Sequence, residues 1–163
     1  MSGFDPISCR LIQATFADLE MLKSWFKQQY EVDEWGGPHM RFPFQQSQFL
    51  KDIRFADLQS YSLFYGEQMV AFGQCYDRLG HCHLGRLIVH PQQRRKGFGV
   101  HLIEQLTQIG CQKLNTHSVS LFVLKKNHPA KKLYIKLGFV EQIYPGDDLD
   151  MDINEIAYLI KTQ

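Results

Sequence analysis

A basic turn that carries two glycines lies between an apolar run and an amphipathic run near the middle of the chain. The apolar run covers residues 84–89. The turn after it holds Arg94, Arg95, Lys96, Gly97 and Gly99. The first turn of a helix has backbone N–H groups without intrahelical partners and the positive end of the helix dipole, and glycines let a phosphate approach that backbone closely. The order of strand, basic turn and helix therefore predicts a site for a phosphorylated ligand.

Two well-known phosphate loops do not fit this turn. A Walker A loop needs Gly-Lys followed by Ser or Thr, whereas this chain has the order Lys96-Gly97-Phe98. A dinucleotide-binding loop would need a third glycine near Leu102 and an acidic residue roughly 20 positions further on, where the chain has His117. What remains is Arg94-x-x-Gly97-x-Gly99, whose spacing is too short to identify a ligand without a second motif.

A second motif covers residues 127–139. It reads Asn127-x-x-Ala130-x-x-Leu133-Tyr134-x-Lys136-x-Gly138-Phe139. Tyr134 within it carries a phenol, which has a pKa of about 10 and therefore stays protonated at neutral pH. The same tyrosine completes an apolar stripe at helical spacing, so core packing is an alternative explanation. Asn127 is a residue type that caps helices.

Length and charge indicate one domain that is not a general binder of polyanions. The 163 residues, 44% of them hydrophobic, can bury one sizeable core. A net charge of +1 argues against a nucleic-acid partner. Ten basic residues lie from Arg86 to Lys136 against the single acid Glu104, while five acids and no base lie from Pro145 to Glu155. One region is thus suited to an anion and another to a cation.

The cysteines and the apolar runs point to a cytoplasmic protein. Cys9, Cys75, Cys82 and Cys111 show no C-x-x-C spacing, so we expect neither a zinc site nor a disulfide framework. Residues Met1 to Pro6 lack the features of a secretory signal. Because no apolar run approaches the roughly 20 residues needed to span a bilayer, we also expect no membrane partner.

Periodicity predicts alternating strands and helices in an α+β architecture with a mixed sheet. Thr15 is expected to cap a helix with Asp18 in its first turn, and this helix runs until the breaker Trp35-Gly36-Gly37-Pro38. Further helices are predicted over residues 45–55, 97–112 and 129–137. Strands are predicted over residues 9–14, 61–65, 69–76, 84–89, 118–124, 139–143 and 155–160.

The two motifs, in this order and at this separation, resemble those of the GNAT (GCN5-related N-acetyltransferase) superfamily. The resemblance covers essentially the full length and is strongest from Leu84 to Phe139. It implies the GNAT fold, in which a mixed central sheet is flanked by helices on both faces and two central strands splay apart to bind acetyl-CoA. It also implies transfer of an acetyl group to a primary amine by direct attack, and the possibility of a homodimer.

The resemblance assigns the coenzyme half of the site. The backbone of Leu87 and Val89 would pair with the pantetheine amides, and a backbone N–H near Ile88 or Val89 would polarise the thioester carbonyl. The pyrophosphate would bind at the loop that contains Arg94, Arg95, Lys96, Gly97, Phe98, Gly99 and Val100. Asn127 would orient pantetheine, and Tyr134 would protonate the departing thiolate.

The general base is where the chain departs from its relatives. Family members that acetylate protein N-termini have a glutamate five residues before the motif asparagine, and Phe122 stands there in this chain. Histone-acetylating members have a glutamate fourteen residues before the first loop glycine, and here that residue is His83. His83 is therefore a candidate for a base or a water relay, and an ordinary hydrogen-bonded strand histidine is the alternative. His81 and His83 supply only two ligands, so we expect no metal.

The acceptor half of the site is assigned only by its place in relatives. Glu34 and Trp35 lie in the region between the first helices that borders the acceptor, and Asp147 and Asp148 lie in the loop before the last strand. A solvated turn explains these residues equally well. The acceptor is expected to be a small-molecule or peptide amine. A coenzyme-A-binding sensor without efficient transfer is the second hypothesis, because Phe122 stands where a base is expected.

Overall fold

The first helix begins where the sequence predicts. In the computed structural model, which describes residues 8–163, strand β1 (Cys9–Gln13) leads into helix α1 (Phe16–Lys23). The backbone N–H of Asp18 donates to Thr15 Oγ1 at 3.2 Å, and the backbone N–H of Thr15 donates to Asp18 Oδ2 at 3.0 Å. This reciprocal pair confirms Thr15 as the cap. The signal-peptide prediction on Met1 to Pro6 lies outside the described residues.

The prediction of one helix up to Trp35 is wrong. Helix α1 ends at Lys23, and a separate helix α2 (Gln29–Gly36) follows. Trp25 and Phe26, between the two helices, are both buried in the core. The carboxylate of Glu31 accepts from the backbone N–H of Lys27 at 2.6 Å and of Gln28 at 2.9 Å, which caps the new helix. The capping box and the burial of two aromatic side chains therefore divide the single helix that periodicity predicted into two helices.

The middle of the chain forms the predicted antiparallel meander. Helix α3 (Gln46–Asp52) precedes strands β2 (Gln59–Tyr65), β3 (Gln68–Arg78) and β4 (His81–Val89). Neighbouring strands pair antiparallel, from β1 with β2 through β3 with β4. Strand β4 begins three residues earlier than predicted, so His83 lies inside it.

The remaining elements complete a mixed sheet. They are helix α4 (Phe98–Leu114), strand β5 (Ser118–Leu124), helix α5 (His128–Lys136), strand β6 (Val140–Gln142) and strand β7 (Ile156–Thr162). The described residues form one seven-stranded sheet in the order β1-β2-β3-β4-β5-β7-β6. Strands β4 and β5 are parallel, whereas β7 lies antiparallel between β5 and β6.

Helices cover both faces of the sheet, as the family resemblance implies. On one face, Phe98, Leu102 and Leu106 of α4 are buried in a core cluster that also contains residues of the central strands. On the other face, side chains of α1, α2 and α3 pack with Phe72 in a second cluster. Helices α1 to α4 bury apolar side chains against the sheet, which is the main driving force for this layered arrangement.

The two central strands separate soon after they meet. Strands β4 and β5 pair only over residues 82–84 and 119–121. Beyond Leu84, no strand among residues 8–163 pairs with the β5-facing edge of β4. The predicted splay of the central strands is therefore confirmed, and it opens a cleft between them.

Candidate active site

The cleft between β4 and β5 holds a cavity of about 250 Å³. Its lining combines the two diverging strands with residues from α5 and from the end of α2. Six residues of the sequence-predicted site line it, namely Glu34, Trp35, His83, Leu87, Asn127 and Tyr134. The fold thus brings together side chains from distant parts of the chain.

A β-bulge shapes the β4 wall of the cavity. The pairing of β3 with β4 shifts register between Phe72 and Gln74. The shift leaves Arg86 and Leu87 of β4 opposite the single residue Gly73, and Arg86 takes a left-handed φ of +47°. The bulge thus lies where β4 leaves β5, on the stretch of backbone predicted to meet pantetheine.

The side chains of that stretch belong to the two cores. Leu87 and Val89 pack against the cluster that contains α4, and Ile88 packs against the cluster on the opposite face. Alternation along a strand explains the difference. These side chains are partly buried by core packing, and the expected contact of their backbone with pantetheine stays a prediction.

The basic turn leads directly into the N-terminus of α4. Gly97 precedes the helix with a φ of +90°, a conformation that L-residues with side chains rarely adopt. The exposed residues before the helix are Arg94, Arg95, Lys96 and Gly97. Phe98 differs from them, because its side chain is buried beside Tyr65. The backbone of Phe98 begins α4, at the end of the helix that carries the positive end of the helix dipole.

Tyr134 belongs both to the cavity and to the core. It packs against Phe139 with a ring-centroid distance of 6.0 Å, and its hydroxyl-bearing side chain lines the cavity. Burial raises the pKa of Tyr134 to about 12. The phenol is therefore fully protonated at neutral pH.

Asn127 caps α5 at the edge of the same cavity. Its Oδ1 atom accepts from the backbone N–H of Ala130 at 3.3 Å. This hydrogen bond confirms the helix-cap interpretation. Asn127 lies about two helical turns before Tyr134, and both residues line the cavity.

His83 is a buried, hydrogen-bonded histidine at the floor of the cleft. It is 2% exposed, and its Nδ1 atom lies 2.8 Å from Ser120 Oγ. Burial lowers the pKa of His83 to about 3, and the neighbouring charges of Arg78 and His81 contribute to that lowering. The imidazole is therefore neutral at physiological pH, and its role as base or relay stays a prediction.

The sequence did not predict the contact of an arginine with Phe122. The guanidinium of Arg78 lies 5.1 Å from the Phe122 ring centroid and donates to the Tyr144 hydroxyl at 3.0 Å. That hydroxyl donates to Asp148 Oδ1 at 2.7 Å. The position where relatives carry a glutamate is thus covered by an arginine. No local pattern marks Arg78, because its partners come from distant parts of the chain.

Two further cavities adjoin the cleft on the side of α2. One, of about 630 Å³, is bordered by five carboxylate residues and two lysines. The acids are Asp33, Glu34, Asp150, Asp152 and Glu155, and we call this set the acidic mouth. The other cavity, of about 390 Å³, is lined by Arg78, Arg86 and Asp148 among others. Asp147 is exposed and lies outside the linings of all three cavities.

Glu34 and Trp35 have different environments although they are neighbours. Glu34 is exposed, borders both the cleft and the acidic mouth, and forms an ion pair with Lys126 at 3.1 Å. Trp35 is half-buried, packs against Phe26 and Phe49, and donates from Nε1 to the Arg86 carbonyl at 2.8 Å. The packed-aromatic alternative therefore describes Trp35, whereas the part of Glu34 in acceptor binding stays a prediction.

Neither a metal-ligand cluster nor a membrane-spanning helix occurs among residues 8–163. No group of three or more His, Cys, Asp or Glu side chains there is arranged to hold a metal ion. Within the same range, every helix is too short or too polar to traverse a bilayer.

Comparison with known proteins agrees with the fold and the cleft. A model of the Acetyltransferase (GNAT) family matches residues 19–139, which include both strands of the cleft, the basic turn and α5. The chain belongs to the GNAT family.

Solved GNAT structures superpose on nearly the whole chain. Spermidine N-acetyltransferase from Vibrio cholerae, in complex with CoA and spermine, matches with a TM-score of 0.74 and 16% identity over 96% of each chain. An acetyltransferase from Thermus thermophilus matches with a TM-score of 0.70 and 16% identity over 98% of this chain and all of its own. The ribosomal-protein-S18-alanine N-acetyltransferase of Escherichia coli gives 0.62 and 21% identity over 94% of this chain and 93% of its own. At these identities the likeness establishes the GNAT fold alone.

Proposed function

We propose that this GNAT protein transfers the acetyl group of acetyl-CoA to a primary amine by direct attack of the amine on the thioester. One observation carries the proposal. The edge of β4 that β5 leaves unpaired runs from a cavity containing Tyr134 to the basic N-terminus of α4. A ligand with an amide-bearing arm and a pyrophosphate at the far end fits that path.

The coenzyme half would be built mostly from backbone. The stretch of Leu87, Ile88 and Val89 would offer to pantetheine the main-chain groups on the edge of β4 that β5 leaves, as an added strand would. The loop from Arg94 to Val100 would bind the pyrophosphate through helix N–H groups, supported by the exposed charges of Arg94, Arg95 and Lys96. Asn127 would border the pantetheine arm. Acetyl-CoA supplies the acetyl group and a thiol leaving group when bound.

Tyr134 would hold the proton that the leaving thiolate needs. Its raised pKa keeps the hydroxyl protonated before reaction. As the carbon–sulfur bond breaks and charge develops on sulfur, the phenol would donate a hydrogen bond and then its proton. The same burial that raises the pKa of Tyr134 strengthens that hydrogen bond, because few water molecules compete for it.

The acceptor amine must lose a proton to attack. At pH 7 this costs roughly 4 to 5 kcal/mol for a lysine-like amine and about 1 kcal/mol for an α-amino group. With its pKa near 3, His83 would not keep that proton, so we assign it the relay role, in which it accepts a hydrogen bond from water or amine. Glu34 is the carboxylate in the cleft lining that would take the proton toward solvent.

A cationic acceptor is favoured by the acidic mouth. Five carboxylate residues border the route into the cleft from the α2 side, and such clustering raises the local concentration of a positively charged ligand. The Vibrio cholerae structure similar to this chain was solved with spermine. We therefore infer a primary amine that carries further positive charge, small molecule or peptide, as the preferred acceptor.

The proposal is tested by binding and by turnover together. Titration calorimetry should show acetyl-CoA binding to the protein alone. Incubation with acetyl-CoA and a panel of polyamines, amino acids, peptides and aminoglycosides should yield an acetylated amine that mass spectrometry identifies. Binding without any acetylated product across the panel would instead favour a coenzyme-A sensor. Phe122 is consistent with a sensor, because it stands where relatives carry a glutamate.

A further inference from the structure

Arg86 is held in a strained conformation by a set of buried hydrogen bonds. Its φ of +47° lies in the left-handed region, which residues with a side chain seldom occupy. The guanidinium donates from Nη1 to Gln74 Oε1 at 2.9 Å and from Nη2 to the Asp52 carbonyl at 3.1 Å. The surrounding protein thus keeps the bulge of β4 in a shape that the backbone alone would not favour.

The partners of Arg86 are themselves fixed. Gln74 is completely buried, and its Nε2 atom donates to the Ile53 carbonyl at 2.8 Å and to Ser60 Oγ at 2.9 Å. With both ends of its amide satisfied, Gln74 has no freedom to rotate away. Arg86 therefore connects the bulge to the end of α3 and to the interior of β2 and β3.

Trp35 holds the bulge from the acceptor side. Its indole Nε1 donates to the Arg86 carbonyl at 2.8 Å, and its ring packs against Phe26 and Phe49. The Arg86 carbonyl and the Leu87 N–H belong to the same planar peptide group and point in opposite directions. Fixing the carbonyl on Trp35 therefore fixes the direction of the Leu87 N–H, and Leu87 lines the cleft cavity.

We propose that Trp35 and Arg86 are positioning residues that aim the Leu87 amide into the cleft and couple it to the acceptor-side helix α2. This inference rests on the proposed acetyl transfer, where a fixed N–H donor polarises the thioester carbonyl. A donor held in place before the reaction needs no reorganisation as charge develops. The hydrogen bond from Trp35 thus links the placement of α2, which borders the acceptor route, to the chemistry at β4.

The test uses two tryptophans in the same core. Trp35→Phe keeps an aromatic ring and removes the Nε1–H donor. Trp25→Phe is the matched control, because Trp25 is also buried and its Nε1 has no hydrogen-bond partner among the described residues. We expect Trp35→Phe to lower kcat about tenfold while the KM for acetyl-CoA stays within about twofold, and Trp25→Phe to leave kcat within about twofold.

Variants of Arg86 separate backbone shape from side-chain loss. Arg86→Met removes the guanidinium and keeps the left-handed strain, whereas Arg86→Gly removes both. Because glycine adopts a φ of +47° without strain, Arg86→Gly should retain a higher kcat than Arg86→Met. Equal kcat values for the two variants would contradict a positioning role, as would a Trp35→Phe enzyme that behaves like Trp25→Phe.

One readout does not depend on turnover. In a ¹⁵N-labelled protein, the amide resonance of Leu87 should shift in Trp35→Phe and stay in place in Trp25→Phe. Absence of turnover in the wild-type protein would refute the proposed function, and the resonance would still decide the coupling. An unmoved Leu87 resonance in Trp35→Phe would overturn the inference even in an active enzyme.

Discussion

His83 and Ser120 face each other across the parallel strands β4 and β5, with His83 Nδ1 2.8 Å from Ser120 Oγ. They form the second of three paired positions before the strands separate. The imidazole therefore lies at the apex of the cleft, enclosed by protein on one side and bordering the cavity on the other. This placement explains why burial depresses the pKa of His83 so strongly.

That depressed pKa predicts an acid-sensitive fold. An unfolded chain protonates its histidines near pH 6.5, whereas His83 in the folded protein resists protonation down to a pH of about 3. Between these pH values the unfolded state binds more protons, so stability falls as the pH decreases, by up to about 1.4 kcal/mol per pH unit. Above pH 6.5 the histidine is neutral in both the folded and the unfolded state, so His83 causes no loss of stability there.

The variant that isolates this effect is His83→Gln, which retains a hydrogen-bonding side chain and cannot titrate. Urea denaturation at several pH values from 7 to 4 should show a shallower loss of stability for the variant than for the wild-type protein. Parallel curves for the two proteins would show that His83 is not the residue responsible.

Tyr134→Phe should lower turnover and leave coenzyme binding nearly unchanged. Loss of a general acid typically costs about 10²-fold or more in rate. Tyr158→Phe is a suitable control, because its buried hydroxyl has no partner among the described residues and it does not line the cleft. Steady-state kinetics and calorimetry on both variants make the comparison. Equal rates for the two variants would remove Tyr134 from its proposed role.

Gly97→Ala should weaken acetyl-CoA binding as well as the fold. A side chain at a φ of +90° costs about 1–2 kcal/mol, and relief of that strain would turn the first N–H groups of α4 away from the ligand. Gly80→Ala imposes similar strain at a φ of +83° in the β3–β4 turn, which contacts Thr116 beyond the opposite end of α4. Both variants should lose thermal stability, and only Gly97→Ala should lose affinity in calorimetry. If the two variants bound acetyl-CoA with the same affinity, this would argue against the loop as the pyrophosphate site.

Neutralising the acidic mouth should affect the acceptor and spare the coenzyme. In the double variant Asp150→Asn, Asp152→Asn, the KM for a multiply charged amine should rise several-fold at low salt, and the difference should shrink as salt screens the charges. The asparagine at position 152 keeps the oxygen that accepts from the Asn154 N–H at 2.9 Å. Asp57→Asn with Glu67→Gln removes two charges elsewhere. If the KM for the amine rose equally in that control variant, the effect would come from the overall charge of the protein and not from the acidic mouth.

Local chemistry accounts for the features that could be predicted before the fold was known. The cap at Thr15, the glycine before α4 and the cap at Asn127 each follow from one residue and its immediate neighbours. The glycine and the Asn127 cap lie in the two motifs that predict the coenzyme half of the site, which is why those motifs were informative.

What the sequence did not predict depends on contacts between distant residues. Trp35 and Arg86 are 51 positions apart, and Arg78 reaches Tyr144 across 66. The split between α1 and α2 likewise follows from burial of Trp25 and Phe26, which the helical period cannot distinguish from a continuous apolar stripe. Only the folded chain reveals that Trp35 supports the bulge of β4.

The most direct test of acetyl transfer is simultaneous measurement of free thiol and acetylated amine with purified protein, acetyl-CoA and the amine panel. We predict thiol release that depends on both protein and amine, with one acetylated amine formed per thiol, and a rate reduced about 10²-fold in Tyr134→Phe. Thiol release that does not depend on amine, or no acetylated product with any amine, would contradict the account.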